Sequence, residues 1–258
     1  MATFINETGM PHVNVFETPD EVAKCVADLF LEKAEECIKE TGTFLVAVSG
    51  GTTPNALFSL LNTDAYREKL DWERIYFIWV DERFIPQYDE DNNFHRAEEK
   101  LFSHITGPVR IFPVNTNSGT VEEAARSYER EVKMVLQVVG KDAPDLTLLG
   151  LGDDGHTASL FPRSEMLQVM DKNVAYVKDG KVWDRVTLTF PFIISSREIW
   201  FTVVGESKRV ALCHVFQQVK RYQDLTWEER IERTLPGAVI PQDHTQWFVD
   251  AAAYGKAE

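Results

Sequence analysis

The sequence predicts an α/β fold, in which a single domain is built on one doubly wound, mostly parallel sheet with helices on both faces. Short apolar runs alternate along the chain with longer amphipathic segments, as strands alternate with helices in such folds. The short runs are continuously apolar, which is typical of strands that helices cover on both faces. The clearest are FLVAV (44–48), IYFIWV (75–80) and LTLLG (146–150).

Local signals predict the remaining elements. Residues 12–16 (HVNVF) predict a first strand, and Thr18 with Glu21 three residues later forms a capping-box pattern for the helix that follows. The apolar spacing predicts a second long helix over about 120–139. Further strand-like segments are RVTLTF (185–190), IWFTVV (199–204) and QWFVD (246–250).

Composition limits the class of protein and its partners. The 258 residues carry a formal charge of −14, which disfavours nucleic acid as a partner. An anionic small molecule can still bind where a few cations gather at one cleft, because salt screens distant surface carboxylates. Cys25, Cys37 and Cys213 form no CxxC motif, as expected of reduced thiols.

No signal-peptide pattern, membrane-length apolar run or Pro/Gly/Ser linker is visible in the sequence. We therefore expect one cytoplasmic domain over residues 1–258 that does not bind a membrane. It would act as a monomer or a small homo-oligomer.

A polar or glycine-rich cluster follows each of the three clearest apolar runs. These clusters are SGGTTP (49–54), DERF (81–84) and GDDGH (152–156). In open α/β sheets, ligands bind outside the carboxyl ends of the strands. The three clusters are distant along the chain but should converge at that edge of the sheet, and this convergence is the main functional prediction.

The first cluster is a candidate phosphate site. Ser49, Gly50, Gly51 and Thr52 lie just before a helical pattern, so their backbone N–H groups suit an anion and the glycines allow its close approach. The alternative is a tight strand-to-helix turn without a ligand. The loop is neither a Walker loop nor a GxGxxG fingerprint, so it does not indicate a nucleotide.

The second cluster places three charged residues at a strand end. In an extended segment, Asp81 and Arg83 point to one side and Glu82 to the other. Arg83 can offer its planar fork to a phosphate or a sugar oxygen, and the alternative is a structural ion pair. Asn92 and Asn93 then lie near the start of another predicted helix.

The third cluster carries a candidate general base. Asp154 and His156 are two residues apart on a glycine-bracketed loop, where a carboxylate can hold the imidazole tautomer and raise its basicity. The alternative is that His156 only hydrogen-bonds the loop. The other five histidines lack such a setting. We expect no metal, since no HExxH or paired Cys/His spacing is present.

Two more cations are candidates for binding an anion. Arg185 opens the RVTLTF run, and Lys208 lies near a predicted helix start, where a cation is electrostatically disfavoured. A phosphate beside Lys208 would offset that cost. The alternative is a solvated lysine.

Together these residues resemble the 6-phosphogluconolactonase family, within the wider group that includes glucosamine-6-phosphate deaminases. The matching blocks, ordered over residues 46–211, are VAVSGGTTP, WVDERFIP with the downstream Asn pair, LLGLGDDGHTASLFP, RVTLTFPFI and VVGESKRVAL. Deaminases of the group have a more polar continuation with a further acid after the histidine. The continuation TASLFP resembles the lactonase branch.

The resemblance implies hydrolysis of 6-phospho-D-glucono-1,5-lactone to 6-phosphogluconate, without a cofactor or a metal. It implies that His156 activates water and that Asp154 orients His156. The 49–52 loop, Arg83, Arg185 and Lys208 would hold the phosphate and the developing oxyanion. One departure is the segment before Arg185, KDGKVWD, which lacks the prolines of many relatives.

Two other functions suit the same scaffold. A sugar-phosphate deaminase or isomerase would need an acid that moves a proton along the sugar chain, and TASLFP offers none at the expected place. A non-catalytic sugar-phosphate sensor would usually carry an output module, for which this chain shows no spare segment.

Overall fold

The structure, a computed structural model, describes residues 3–5, 11–117, 119–178 and 182–255. The strands in these ranges are β1 (Thr3–Ile5), β2 (His12–Phe16), β3 (Phe44–Val48), β4 (Ile75–Trp79), β5 (Asp81–Arg83), β6 (Arg110–Phe112), β7 (Leu146–Leu149), β8 (Val174–Val177), β9 (Arg185–Leu188), β10 (Glu198–Val203) and β11 (Thr245–Asp250). The helices are α1 (Pro19–Thr41), α2 (Thr52–Leu61), α3 (Asp64–Arg67), α4 (Asn93–Lys100), α5 (Val121–Val139), α6 (Phe190–Ile194), α7 (Arg209–Arg221), α8 (Trp227–Arg233), α9 (Pro236–Val239) and α10 (Ala251–Tyr254). None of these helices combines the length and the apolar character that crossing a bilayer requires.

The predicted doubly wound sheet is confirmed. Eight strands lie in the order β1-β2-β11-β10-β7-β3-β4-β6, and all neighbours are parallel except β1 and β2. From β3 the chain winds outward through β4 to β6, and it then returns to β7 on the other side of β3. The winding direction therefore reverses between β3 and β7. A ligand crevice is expected at the carboxyl end of such a switch point.

The local signals place the long helices as predicted. The hydroxyl of Thr18 accepts the backbone N–H of Glu21 and caps α1, which ends at Gly42 in the left-handed conformation with φ of 83°. In a capping box the Glu21 carboxylate would also accept the backbone N–H of Thr18. It instead accepts the N–H of Glu17, one residue earlier, so the capping box is only half formed. Helix α5 is capped in the same way by the hydroxyl of Thr120.

A second sheet was not anticipated in the sequence pattern. Strands β5, β9 and β8 form a small antiparallel sheet outside the main one, so the 185–190 segment does not extend the parallel sheet. The change of partner occurs at Val80. Its N–H still bonds to Val48 of β3, whereas its carbonyl accepts the N–H of Leu188 in β9 at 2.7 Å. Beyond Val80 the chain therefore pairs with β9 and carries the second cluster away from the main sheet.

Candidate active site

The first two predicted clusters meet beyond the carboxyl ends of β3 and β4. The hydroxyl of Ser49 donates to the carbonyl of Leu148 in β7 at 2.8 Å and so bridges the switch point. The Asn93 side-chain amide donates to the carbonyl of Asp81 at 3.0 Å. Asn93 also packs tightly on Gly50, where a Cβ would lie 2.0 Å from the Asn93 Oδ1. Asn93 thus links the SGGTTP loop to the DERF strand.

The third cluster joins them through the segment that follows His156. The hydroxyl of Ser159, fully buried, donates to Asp81 Oδ2 at 2.6 Å. The backbone N–H of Ser159 donates to the hydroxyl of Thr187 in β9 at 3.2 Å. Between His156 and Ser159, Ala158 adopts a left-handed φ of 53°, a costly conformation for a residue with a side chain. The predicted convergence of the three clusters is therefore present.

The loop after β3 presents backbone donors. Gly51 has φ of 115° and precedes the first residue of α2, Thr52. The first N–H groups of a helix have no intrahelical acceptor, and α2 has neither a side-chain cap nor an acid in its first turn. The Ser49 hydroxyl is already bonded to Leu148, so Ser49 can offer an anion only its backbone N–H, beside the other backbone N–H groups of the loop.

His156 and Asp154 form the predicted pair. The His156 Nδ1 lies 2.5 Å from Asp154 Oδ1, which also accepts the backbone N–H of His156 at 3.1 Å. Burial opposes ionisation of Asp154, but the hydrogen bonds and the charge of His156 outweigh it and hold the pKa of this carboxyl below its ordinary value. Asp154 is therefore a carboxylate at neutral pH. It keeps the proton on Nδ1 and leaves Nε2, which has no partner among the described residues, as the basic nitrogen.

Glu82 has a structural role. Its fully buried carboxyl accepts the backbone N–H groups of Arg83, Asn93 and Phe94 at 2.8, 2.8 and 2.9 Å. Burial raises the pKa of Glu82 to about 8, even though these three bonds favour the anion. Glu82 thereby fixes the start of α4, and with it the position of Asn93 beside the first cluster.

Both candidate arginines lie on the small sheet. Arg83 donates to the backbone carbonyl of Asp91 and forms no ion pair within the described part of the chain. Arg185 lies 3.9 Å from the Asp81 carboxylate. The Nε of each arginine is buried and has no hydrogen-bond partner among the described residues. Both guanidinium groups therefore retain unused donors.

Lys208 is already paired. Its Nζ lies 2.6 Å from Oδ1 of Asp153, and the lysine precedes α7 in a short 3₁₀ turn, Glu206–Lys208. Asp153 therefore offsets the cost of a cation at the start of α7. The sequence analysis missed Asp153, although it neighbours the predicted Asp154. Three residues of the segment before Arg185, numbers 179–181, lie outside the described residues.

No group of three or more His, Cys, Asp or Glu side chains within the described ranges is arranged to hold a metal ion. The predicted site residues therefore comprise the His156–Asp154 pair, the backbone donors of the 49–52 loop and three cations, two of which already lie beside the carboxylates of Asp81 and Asp153. This set can activate a water molecule beside a bound anion.

Comparison with known proteins identifies the family. The model described as glucosamine-6-phosphate isomerases/6-phosphogluconolactonase matches residues 17–247. The chain belongs to this family. It is similar to a 6-phosphogluconolactonase from a Synechocystis species, with 39% identity over 223 residues, 84% of this chain and 86% of the relative. A 6-phosphogluconolactonase from a Nostoc species is 35% identical over 241 residues, 91% of this chain and 94% of the relative.

Solved structures agree with this family assignment. The 6-phosphogluconolactonase of Thermotoga maritima matches with a TM-score of 0.74 and 29% sequence identity. The match covers 92% of this chain and 98% of that structure. The doubly wound fold therefore agrees with the family over nearly the whole chain.

Proposed function

We propose that this protein hydrolyses 6-phospho-D-glucono-1,5-lactone to 6-phospho-D-gluconate. Relatives that are 39% and 35% identical over most of the chain are named 6-phosphogluconolactonase. The observation that carries the proposal is the His156–Asp154 pair, with Nε2 open, at the point where the candidate anion-binding groups converge.

In the proposed mechanism, Nε2 of His156 takes a proton from a water molecule as its oxygen attacks the lactone carbonyl carbon. The negative charge moves to the carbonyl oxygen of the tetrahedral intermediate, and Asp154 stabilises the imidazolium that forms. When the intermediate collapses, the bond from the carbonyl carbon to the ring oxygen breaks. His156 returns the proton to that oxygen, which becomes a hydroxyl group. A positioned base of this kind contributes about 10²–10⁴-fold to the rate.

The remaining groups bind negative charge. We assign the backbone N–H groups of Gly50, Gly51 and Thr52, with Arg83, Arg185 and Lys208, to the phosphate and to the developing oxyanion. Ser49 would contribute through its backbone, because its hydroxyl is bonded to the β7 carbonyl. Donors aimed at an oxyanion are worth about 10²–10³-fold in kcat. A δ-lactone is already an activated ester, so no covalent intermediate is required.

We also propose that residues 1–258 act as one cytoplasmic lactonase domain, as a monomer or a small homo-oligomer. The described residues share one buried core across both sheets, and Cys25, Cys37 and Cys213 are free thiols, as in a reducing compartment. The net charge of −14 disfavours nucleic acid. The residues of the cleft require neither a metal nor a cofactor for this reaction.

The test is a coupled assay at mildly acidic pH, where spontaneous lactone opening is slow. The lactone is generated in the assay mixture, and the rate at which 6-phosphogluconate appears is measured with and without the protein. Ammonia release from glucosamine 6-phosphate is measured in parallel. Acceleration of lactone opening alone supports the proposal. Ammonia release would indicate a deaminase. Silence in both assays, with sugar phosphates still raising the melting temperature, would indicate a sensor.

A further inference from the structure

Arg83 and Arg185 are directly opposite each other in the antiparallel β5–β9 ladder. Directly opposed side chains leave the same face of a sheet with their Cβ atoms about 4.5–5.5 Å apart, and like charges at such positions are destabilising. Arg185 has a carboxylate, Asp81, at 3.9 Å, whereas Arg83 has none among the described residues. Within the described residues, these two cations therefore lie side by side with one carboxylate between them.

Each guanidinium group lies against its own aromatic ring. The Arg83 Cζ is 5.3 Å from the centre of the Trp183 ring, and the Arg185 Cζ is 5.5 Å from the centre of the Phe161 ring. Both distances are within the roughly 6 Å at which a cation is attracted to the face of a ring. Phe161 also contacts the imidazole of His156, with the ring centres 4.6 Å apart. Each arginine of the pair is therefore in contact with an aromatic ring.

We propose that Trp183 is a positioning residue that holds the Arg83 guanidinium ready for an anionic group of the substrate, as Phe161 does for Arg185. The Asp91 carbonyl accepts a hydrogen bond from one N–H of Arg83, and the Trp183 ring restricts the orientation of the guanidinium plane. The buried Nε of Arg83 has no hydrogen-bond partner among the described residues. An arginine that is ordered before binding loses less side-chain entropy when the anion arrives. Trp183 therefore lowers KM without touching the reacting atoms. The identity of the anion rests on the proposed function.

Two substitutions of Trp183 distinguish the effect of its aromatic face from the effect of its apolar bulk. Trp183→Leu removes the aromatic face and keeps an apolar side chain, whereas Trp183→Phe keeps an aromatic face. We expect Trp183→Leu to raise KM for the phosphorylated lactone about fivefold, with kcat within about twofold of wild type, and Trp183→Phe to recover most of the loss. Arg83→Ala should also raise KM. In the Arg83→Ala background, Trp183→Leu should add no further increase, because Trp183 acts through Arg83.

A matched control exists at the far end of α7. The Cζ of Arg221 lies 5.3 Å from the centre of the Tyr222 ring, the same separation as in the Arg83–Trp183 pair. That pair is about 20 Å from Lys208 along the helix, given the helical rise. Tyr222→Leu should therefore leave KM unchanged. Equal KM for Trp183→Leu and Trp183→Phe, or additive effects with Arg83→Ala, would reduce Trp183 to a packing residue.

A second measurement does not depend on catalysis. The melting temperature of each variant is recorded with and without inorganic phosphate and 6-phosphogluconate. An anion-dependent rise that is kept by Trp183→Phe and reduced in Trp183→Leu supports the inference, even if the wild-type protein fails the lactonase assay. Equal rises in all variants would overturn it. A wild-type protein that shows neither turnover nor stabilisation by either anion would contradict the anion site itself, and the inference with it.

Discussion

The imidazole of His156 lies against the α-carbon of Gly152. A Cβ at Gly152 would come within 2.1 Å of the His156 Nδ1, a distance that no real contact allows. The Gly152 N–H also donates to the carbonyl of His156 at 2.8 Å, so the loop is closed on itself. The residue at 152 is glycine because the imidazole occupies the space that a side chain would need.

Because of this contact, we expect that adding a single methyl group at position 152 lowers the activity. Gly152→Ala should lower kcat by about 10²-fold, since a catalytic group displaced by about 1 Å can cost that much. Gly150→Ala is the control, because a Cβ there meets nothing within 4 Å. It should keep near-wild-type rates. Initial rates at saturating lactone and melting temperatures check both variants, and similar kcat values for the two would contradict the placement of His156.

His156→Ala should abolish most turnover and leave product binding intact. The expected loss in kcat is about 10²–10⁴-fold, the contribution of a positioned general base. His244 provides the control, because its Nδ1 lies 2.8 Å from Asp243 and its side chain is 25% exposed, against 28% for His156. His244→Ala should therefore keep wild-type kcat. Binding of 6-phosphogluconate is measured by calorimetry, and near-wild-type turnover by His156→Ala would overturn the assignment of the base.

The Lys208–Asp153 pair predicts that removing the Asp153 charge strengthens, rather than weakens, binding of the lactone. If Lys208 binds the phosphate, Asp153 competes with that phosphate for the ammonium group. Asp153→Asn should then lower KM for the lactone by up to about fivefold, the scale of an exposed ion pair, while Lys208→Met should raise KM.

Glu40→Gln is the control for the Lys208–Asp153 comparison. It also removes one negative charge from a 2.6 Å ion pair, with Arg197 just before β10, at the amino edge of the sheet. It should leave KM unchanged. KM for all three variants is measured by steady-state kinetics at fixed ionic strength. An unchanged KM in both Asp153→Asn and Lys208→Met would show that Lys208 does not bind the phosphate.

Glu82 predicts how stability depends on pH. Its pKa is raised from 4.5 to about 8 by burial, so between these values the folded state holds a proton that the unfolded state has released. The corresponding stability is fully present below pH 4.5 and is lost as the pH rises through about 8. The slope for one proton is at most about 1.4 kcal/mol per pH unit.

Denaturant unfolding between pH 5 and 8 tests this. The free energy of unfolding should fall with pH in the wild type and fall less steeply in Glu82→Gln. Glutamine cannot accept all three backbone N–H groups, so the slopes are compared and not the absolute values. Parallel slopes would show that Glu82 is ionised across the whole range.

Much of the fold could be predicted because its signals are local. Continuous apolar runs indicate strands buried on both faces, and a cap with 3.6-residue spacing indicates a helix, so β3, the start of α1 and both ends of α5 agree with the prediction to within a residue. What these signals cannot specify is the partner of a strand. The prediction of a strand over RVTLTF is confirmed for Arg185–Leu188, whereas Phe190 already begins α6, and only the tertiary structure shows that this strand pairs with DERF and not with the parallel sheet.

The sequence by itself determined the doubly wound sheet, the three clusters at its carboxyl edge and the Asp154–His156 pair, whose two-residue spacing makes the contact local. The tertiary structure determined which side chains contact each other when their residues are far apart in the sequence. It placed Arg83 opposite Arg185, Trp183 beside Arg83, and Asp153 on Lys208, 55 residues away. The reason is physical: periodicity reports which face of an element is buried, whereas a contact between distant side chains depends on register and packing that no single segment contains.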